Sequence, residues 1–137
     1  MNKAITVSVL VKGDINKIWR SFITPADIQE WLHASDDWSC PHAENNLTVG
    51  GQFLSRMAAK DGSVSFDLIG TYTAVEEHKL IAYTLEDGRT VEVIFTETED
   101  GVEVTETFEM EHENSEEMQR GGWQAILDNF KKHVEQV

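Results

Sequence analysis

Residues 80–110 read LIAYTLEDGRTVEVIFTETEDGVEVTETFEM, and their pattern decides the fold. Within it, residues 80–85, 90–98 and 102–110 set apolar side chains at near-alternate positions, the period of strands with one buried face. Between them stand Asp87-Gly88 and Asp100-Gly101, and Asp-Gly between alternating segments is the strongest short hairpin signal. Upstream, residues 63–75 end in the polar Glu76-Glu77-His78-Lys79, and residues 47–59 end at Asp61-Gly62. Three Asp-Gly turns in succession predict an antiparallel meander of five strands. Residues 1–11 supply a sixth, with Ile5, Val7, Val9 and Val11 on one face.

The remaining periodicity is helical. Ile15, Ile18, Trp19, Phe22 and Ile23 make an amphipathic stripe that Asp14 can cap. Thr24-Pro25, with Asp27 three residues after Thr24, opens a second short helix whose apolar face is Ile28, Trp31 and Leu32. Residues 33–46 hold no period and read as a long loop. Residues 114–134 form the last helix, with Asn114 and Glu117 as a capping box and Trp123, Ile126, Leu127, Phe130 and Val134 as the buried stripe. The fold class is therefore α+β: a six-stranded curved antiparallel sheet, in the order β-α-α-β-β-β-β-β-α, wrapped around a long C-terminal helix. The 137 residues show no linker or repeat, so 1–137 is expected to be one domain.

Composition narrows the function. The formal charge is −14, and ten of the 21 residues from Glu97 to Glu117 are acidic. Only eleven Lys and Arg are scattered along the chain, which argues against nucleic acid and against an anionic membrane surface. No apolar run approaches the ~20 residues of a membrane span. Lys3, Thr6 and Ser8 interrupt any signal-peptide core, and the lone Cys40 makes no internal disulfide, so a reducing cytoplasmic setting is expected.

A twisted sheet of six strands curls, and one straight helix leaves part of its concave face unfilled. Trp31, Phe53, Phe66, Tyr72, Tyr83, Phe95, Phe108, Trp123 and Leu127 are the candidate lining of that space, although each also reads as ordinary core. Tyr72 and Tyr83 carry hydroxyls that need partners when buried. Glu106 stands out because period two places it with Val102, Val104, Phe108 and Met110 on the apolar face. A carboxyl there orients a polar ligand group or acts as a general acid; the alternatives are a bulge that turns it outward or a partner such as Arg56. Gly121-Gly122 inside the last helix costs about 1 kcal/mol per Gly against Ala. Either crowding against the sheet or a bend at the cavity mouth accounts for the pair. Gly50-Gly51 suggests a bulge that tightens the sheet.

His33, Cys40 and His42, with Asp36 or Asp37, lack the paired spacing of a zinc site, and the acids around Cys40 disfavour its thiolate. No G-x-S-x-G, phosphate-binding glycine loop or H-E-x-x-H occurs. No catalytic residue, metal or cofactor is assigned on this reading.

The run Asn45-Asn46-Leu47-Thr48-Val49-Gly50-Gly51-Gln52-Phe53 resembles the ND-L-x-x-G-G-x-F signature of bacterial homologues of the activator of the heat-shock-protein-90 ATPase. Trp19 with Pro25 and Trp31, Gly70-Thr71-Tyr72 and Gly122-Trp123 match in the same order. Asn46 and Thr48 stand where Asp and Arg are usual, which removes charges beside the two glycines. The family belongs to the START-like superfamily, so the resemblance implies a helix-grip fold around a ligand cavity. It implies three functional expectations: a small apolar or aromatic ligand, a chaperone partner met through the acidic stretch, or cyclase or dehydratase chemistry using Glu106 and a tyrosine.

Overall fold

The computed structural model describes residues 3–136; Met1 and Asn2 of the predicted first strand lie outside them. The elements in order are β1 (Ala4–Val11), α1 (Ile15–Ile23), α2 (Pro25–Trp31), β2 (Trp38–Asn45), β3 (Gln52–Ala59), β4 (Ser65–Glu76), β5 (Leu80–Leu85), β6 (Thr90–Thr98), β7 (Gly101–Glu109) and α3 (Glu116–Glu135). The strands form one antiparallel sheet in the order β1-β7-β6-β5-β4-β3-β2. Residues 38–109 are thus one continuous meander, and β1 closes it beside β7. The α+β architecture of a curled sheet around a C-terminal helix is as the sequence predicts.

The sheet has seven strands rather than six, because β2 occupies the segment expected to be a loop. Its sequence WSCPHAEN does not alternate. Cys40 and Ala43 are its buried residues, and the pairing with β3 shifts register between Ser39 and His42. A bulge that contains Pro41 breaks the period-two pattern, and an edge strand tolerates the missing N–H. The Gly50-Gly51 step lies just before β3 and forms the expected bulge, with both glycines opposing the single residue Tyr72 and Gly50 at φ +87°. Gly50 donates to the Tyr72 carbonyl at 2.9 Å, and Tyr72 donates to the Gly51 carbonyl at 2.9 Å.

Local signals place the helices with small differences. The Asp14 side chain accepts from Asn16 N at 2.7 Å and starts α1. Thr24 precedes Pro25 but makes no side-chain cap bond. On α3 the cap is Ser115, which accepts from Met118 N at 3.2 Å, one residue later than the predicted Asn114. The Asn114 N–H instead donates to Glu111 Oε1 at 2.7 Å.

One face of α3 is tied to the free edge of β1. Arg120 donates to the Thr6 carbonyl at 3.0 Å, Gln124 to Ser8 at 3.0 Å and Lys131 to Leu10 at 2.6 Å. These alternate carbonyls face away from β7, so the helix satisfies an otherwise open sheet edge. Beneath them Ile5, Val11, Ile18, Val93, Val104, Phe108, Leu127 and Phe130 are all fully buried and form the core.

Candidate functional site

Toward β3 and β4 the sheet leaves α3 and encloses a partly open cavity of about 120 Å³. Helices α1 and α2 wall it with Phe22, Ile28 and Trp31, the sheet with Phe53, Met57, Leu68, Tyr72, Ile81, Tyr83 and Glu106, and α3 with Trp123 and Ile126. Gly70 makes room for one wall, because a Cβ there would collide with the ring of Phe53, its partner across the strands. That ring then lies edge-on to Tyr83 at 4.8 Å between centroids and 5.7 Å from Tyr72. On the other side Trp123 stacks flat on Phe108 at 3.9 Å with 8° between planes.

Six of the predicted lining residues meet here: Trp31, Phe53, Tyr72, Tyr83, Glu106 and Trp123. The structure places the other four elsewhere. Phe95 is buried under α1, 5.2 Å from Trp19 and 5.4 Å from Phe22. Phe108 lies behind Trp123, and Leu127 is wholly buried in the core. Phe66 shares the face of Leu68 and Tyr72 but sits near the β3–β4 turn, 51% exposed, with its ring against Trp38. Sequence reasoning assigned Phe22, Ile28 and Ile126 to helix stripes without separating those that face the cavity from those that fill the core. Met57, Leu68 and Ile81 carried no aromatic signal.

The polar side-chain groups of the site are few, and those of Trp31 and Tyr72 are committed. Trp31 Nε1 donates to the Ser21 carbonyl at 3.0 Å. The Tyr72 hydroxyl donates to Asn45 Oδ1 at 2.5 Å, and Asn45 Nδ2 donates to the Ile23 carbonyl at 2.7 Å. Asn45, the first residue of the signature run, therefore braces β4 against the end of α1. Burial, partly offset by that hydrogen bond, raises the Tyr72 pKa above its ordinary value.

Glu106 is different. It is 7% exposed, flanked in register by Val7 and Val93, and no described residue hydrogen-bonds to its carboxyl group. Neither alternative raised by the sequence holds: β7 runs without a bulge at this point, and Arg56 pairs with Asp67 at 2.9 Å. Burial alone pushes the carboxyl up to about 8, so it is chiefly the neutral acid at pH 7. Tyr83 is driven well above the usual phenol range, first by burial, then by Glu106 and Tyr72.

Cys40 donates to the His42 carbonyl at 3.4 Å, and burial pushes its thiol up. His42 pairs with Glu44 at 2.7 Å on the surface. Among the described residues no group of three or more His, Cys, Asp and Glu is arranged to hold a metal. Nor is any helix long and apolar enough to cross a membrane. An added Cβ at Gly121 or Gly122 would meet nothing within 4 Å, which removes close packing as the reason for the pair.

Residues 12–135 match the model of the family described as activator of Hsp90 ATPase homolog 1-like protein. The chain belongs to this family. The family's fold is seen again in an AHSA1-like protein from Aeromonas hydrophila, 40% identical, with a TM-score of 0.91 over 97% of this chain and 92% of that one. A protein from Cytophaga hutchinsonii is 47% identical, with a TM-score of 0.84 over 96% of this chain and 91% of that one. A protein from Chromobacterium violaceum keeps the fold at 18% identity, with a TM-score of 0.88 over 98% and 99% of the two chains. No curated protein matches the chain. The family match agrees with the START-like assignment of the signature run, and with a helix-grip architecture.

Proposed function

We propose that this family member is a cytosolic, non-catalytic START-like domain that holds a small apolar or aromatic molecule between its sheet and α3. The observation that carries this reading is the cavity itself. It is walled almost wholly by apolar and aromatic side chains, and among the described residues the Glu106 carboxyl in its wall has no hydrogen-bond partner. Ligand sites in general combine an apolar lining with a few placed polar groups. An apolar cavity of roughly 150 Å³ holds a single aromatic ring, and this partly open one of about 120 Å³ takes an occupant of at most about that size as the helices stand. A larger one requires α3 to move, and Gly121-Gly122 lies one residue before Trp123 of the cavity wall. The test is native mass spectrometry of the gently purified protein, followed by an NMR titration with a panel of lipid and polyketide fragments. Shifts confined to cavity residues such as Trp31, Tyr83 and Trp123 are expected. Absence of any binder would refute the reading.

Family membership favours a second role, as a chaperone-associated module. The acidic stretch from Glu97 to Glu117 offers a surface for a basic patch. Association with the host's heat-shock-protein-90 chaperone at low salt, with a changed ATPase rate, is its expected signature. An unchanged rate and no association would remove it.

A further inference from the structure

We propose that the cavity selects compact neutral molecules bearing one hydrogen-bond acceptor, with aryl or cyclic ketones as the model class, and rejects carboxylates, the Glu106 carboxyl being the donor. This inference rests on the ligand-binding reading and adds the chemistry of the occupant.

The polar inventory of the walls leads to it. The Trp31 N–H and the Tyr72 hydroxyl are already spent on Ser21 and Asn45. Among the described residues, no partner takes the Tyr83 hydroxyl, and none takes the Glu106 carboxyl. Among the described residues no fully sealed side-chain N or O lacks a partner, so the Glu106 carboxyl opens onto the cavity space, where in its neutral form it offers a donor to a bound acceptor. Glu106 stays neutral around pH 7 because nothing charged faces it. Val7 and Val93 flank it in the sheet, α3 presents Trp123 and Ile126, and the titratable groups on the same cavity are Tyr72 and Tyr83. Both phenols are held protonated by burial.

Charge excludes the anionic alternative. Among the described residues no Lys, Arg or His lines the cavity, so a bound carboxylate would be desolvated without a counter-ion and set against a second carboxyl group. The chain's formal charge of −14 opposes its approach as well. Size sets the scale, since about 120 Å³ is slightly under the roughly 150 Å³ that holds a single benzene ring, so one ring fills the cavity and a short substituent lies toward its open side.

Acetophenone, ethylbenzene and benzoate separate the terms, because they share a ring and differ in carrying a neutral acceptor, no acceptor or a charge. Each is titrated into the full chain by NMR at about pH 6 and about pH 9.5, on either side of the Glu106 transition. Wild type should bind acetophenone roughly five- to tenfold more tightly than ethylbenzene at the lower pH, with benzoate weakest. That preference should vanish at the higher pH. It should persist at both in Glu106→Gln, whose amide donates without titrating, and be absent at both in Glu106→Leu. A ketone preference that survives Glu106→Leu, or benzoate binding as tightly as acetophenone, overturns the proposal. Equal binding of ethylbenzene and acetophenone defeats this inference and leaves the ligand-binding reading standing. Failure of all three to bind defeats this inference, and the ligand-binding reading falls with it only if the lipid and polyketide panel also yields no binder.

Discussion

The Tyr72 hydroxyl on β4 donates to Asn45 Oδ1 on β2 at 2.5 Å, and the same Asn45 amide donates onward to the Ile23 carbonyl at the end of α1 at 2.7 Å. The bracket joins two strands that are not neighbours in the sheet and fixes α1 over the cavity. Tyr72→Phe leaves Asn45 Oδ1 without its donor, and Asn45→Ala orphans both a phenol and a helix carbonyl. We expect losses of about 1 kcal/mol for the first and about 2–3 kcal/mol for the second. The double variant should fall short of their sum by about 1 kcal/mol. Urea unfolding of the four proteins measures this, and strict additivity would show that the bracket does not act as a unit.

The sequence disclosed unequal parts of this arrangement, for physical reasons. Strands with one buried face announce themselves by period two, and that period located Glu106 on the inner face of β7 as well. Strand β2 was illegible because the bulge around Pro41 spaces Cys40 and Ala43 three residues apart. Asn45 was visible as a motif letter, but its bond to Tyr72 depends on a contact across 27 residues. Phe66 has the right face and lies at the wrong end of its strand, a distinction that periodicity does not make. Stripe residues such as Phe22 and Ile126 look alike whether they fill a core or border a void.

Two glycine positions should respond to Ala in opposite directions. At Gly70 the new methyl displaces the Phe53 ring from the cavity wall, and overpacking of this kind costs about 1–3 kcal/mol. At Gly121 the methyl enters open space on a helix, where Ala is favoured by about 0.4–1 kcal/mol. Midpoints of chemical denaturation decide both signs. If the Gly121-Gly122 pair also lets α3 bend for ligand entry, Gly121→Ala combined with Gly122→Ala should slow ligand association while raising stability.

The ties from α3 to the β1 edge predict a local effect. Arg120→Leu with Gln124→Leu frees the Thr6 and Ser8 carbonyls. At about 1 kcal/mol per hydrogen bond, amide exchange within Ala4–Val11 should quicken by roughly tenfold or more. Exchange in β4 and β5, which α3 does not cap, should change less, and a uniform change would argue for global destabilisation instead.

The buried acid gives the prediction with the clearest sign. The Glu106 pKa is raised in the folded chain from an ordinary 4.5 to about 8, so between these values the folded state holds a proton that the unfolded state releases. Its contribution to stability is complete below about 4.5 and is lost as pH rises through about 8. Asp61, Asp67, Asp87, Glu116 and Glu135 have lowered values, so their opposite contribution belongs to more acid pH. Groups other than Glu106 are common to wild type and Glu106→Gln, so the difference between the two proteins isolates Glu106. That difference should be small near pH 5 and grow to roughly 2–5 kcal/mol in favour of Glu106→Gln by about pH 8.5. Urea unfolding of both proteins across this range measures it. A difference that does not change with pH would mean that Glu106 is solvated or paired in the folded state, and would take away the donor on which the ligand chemistry depends.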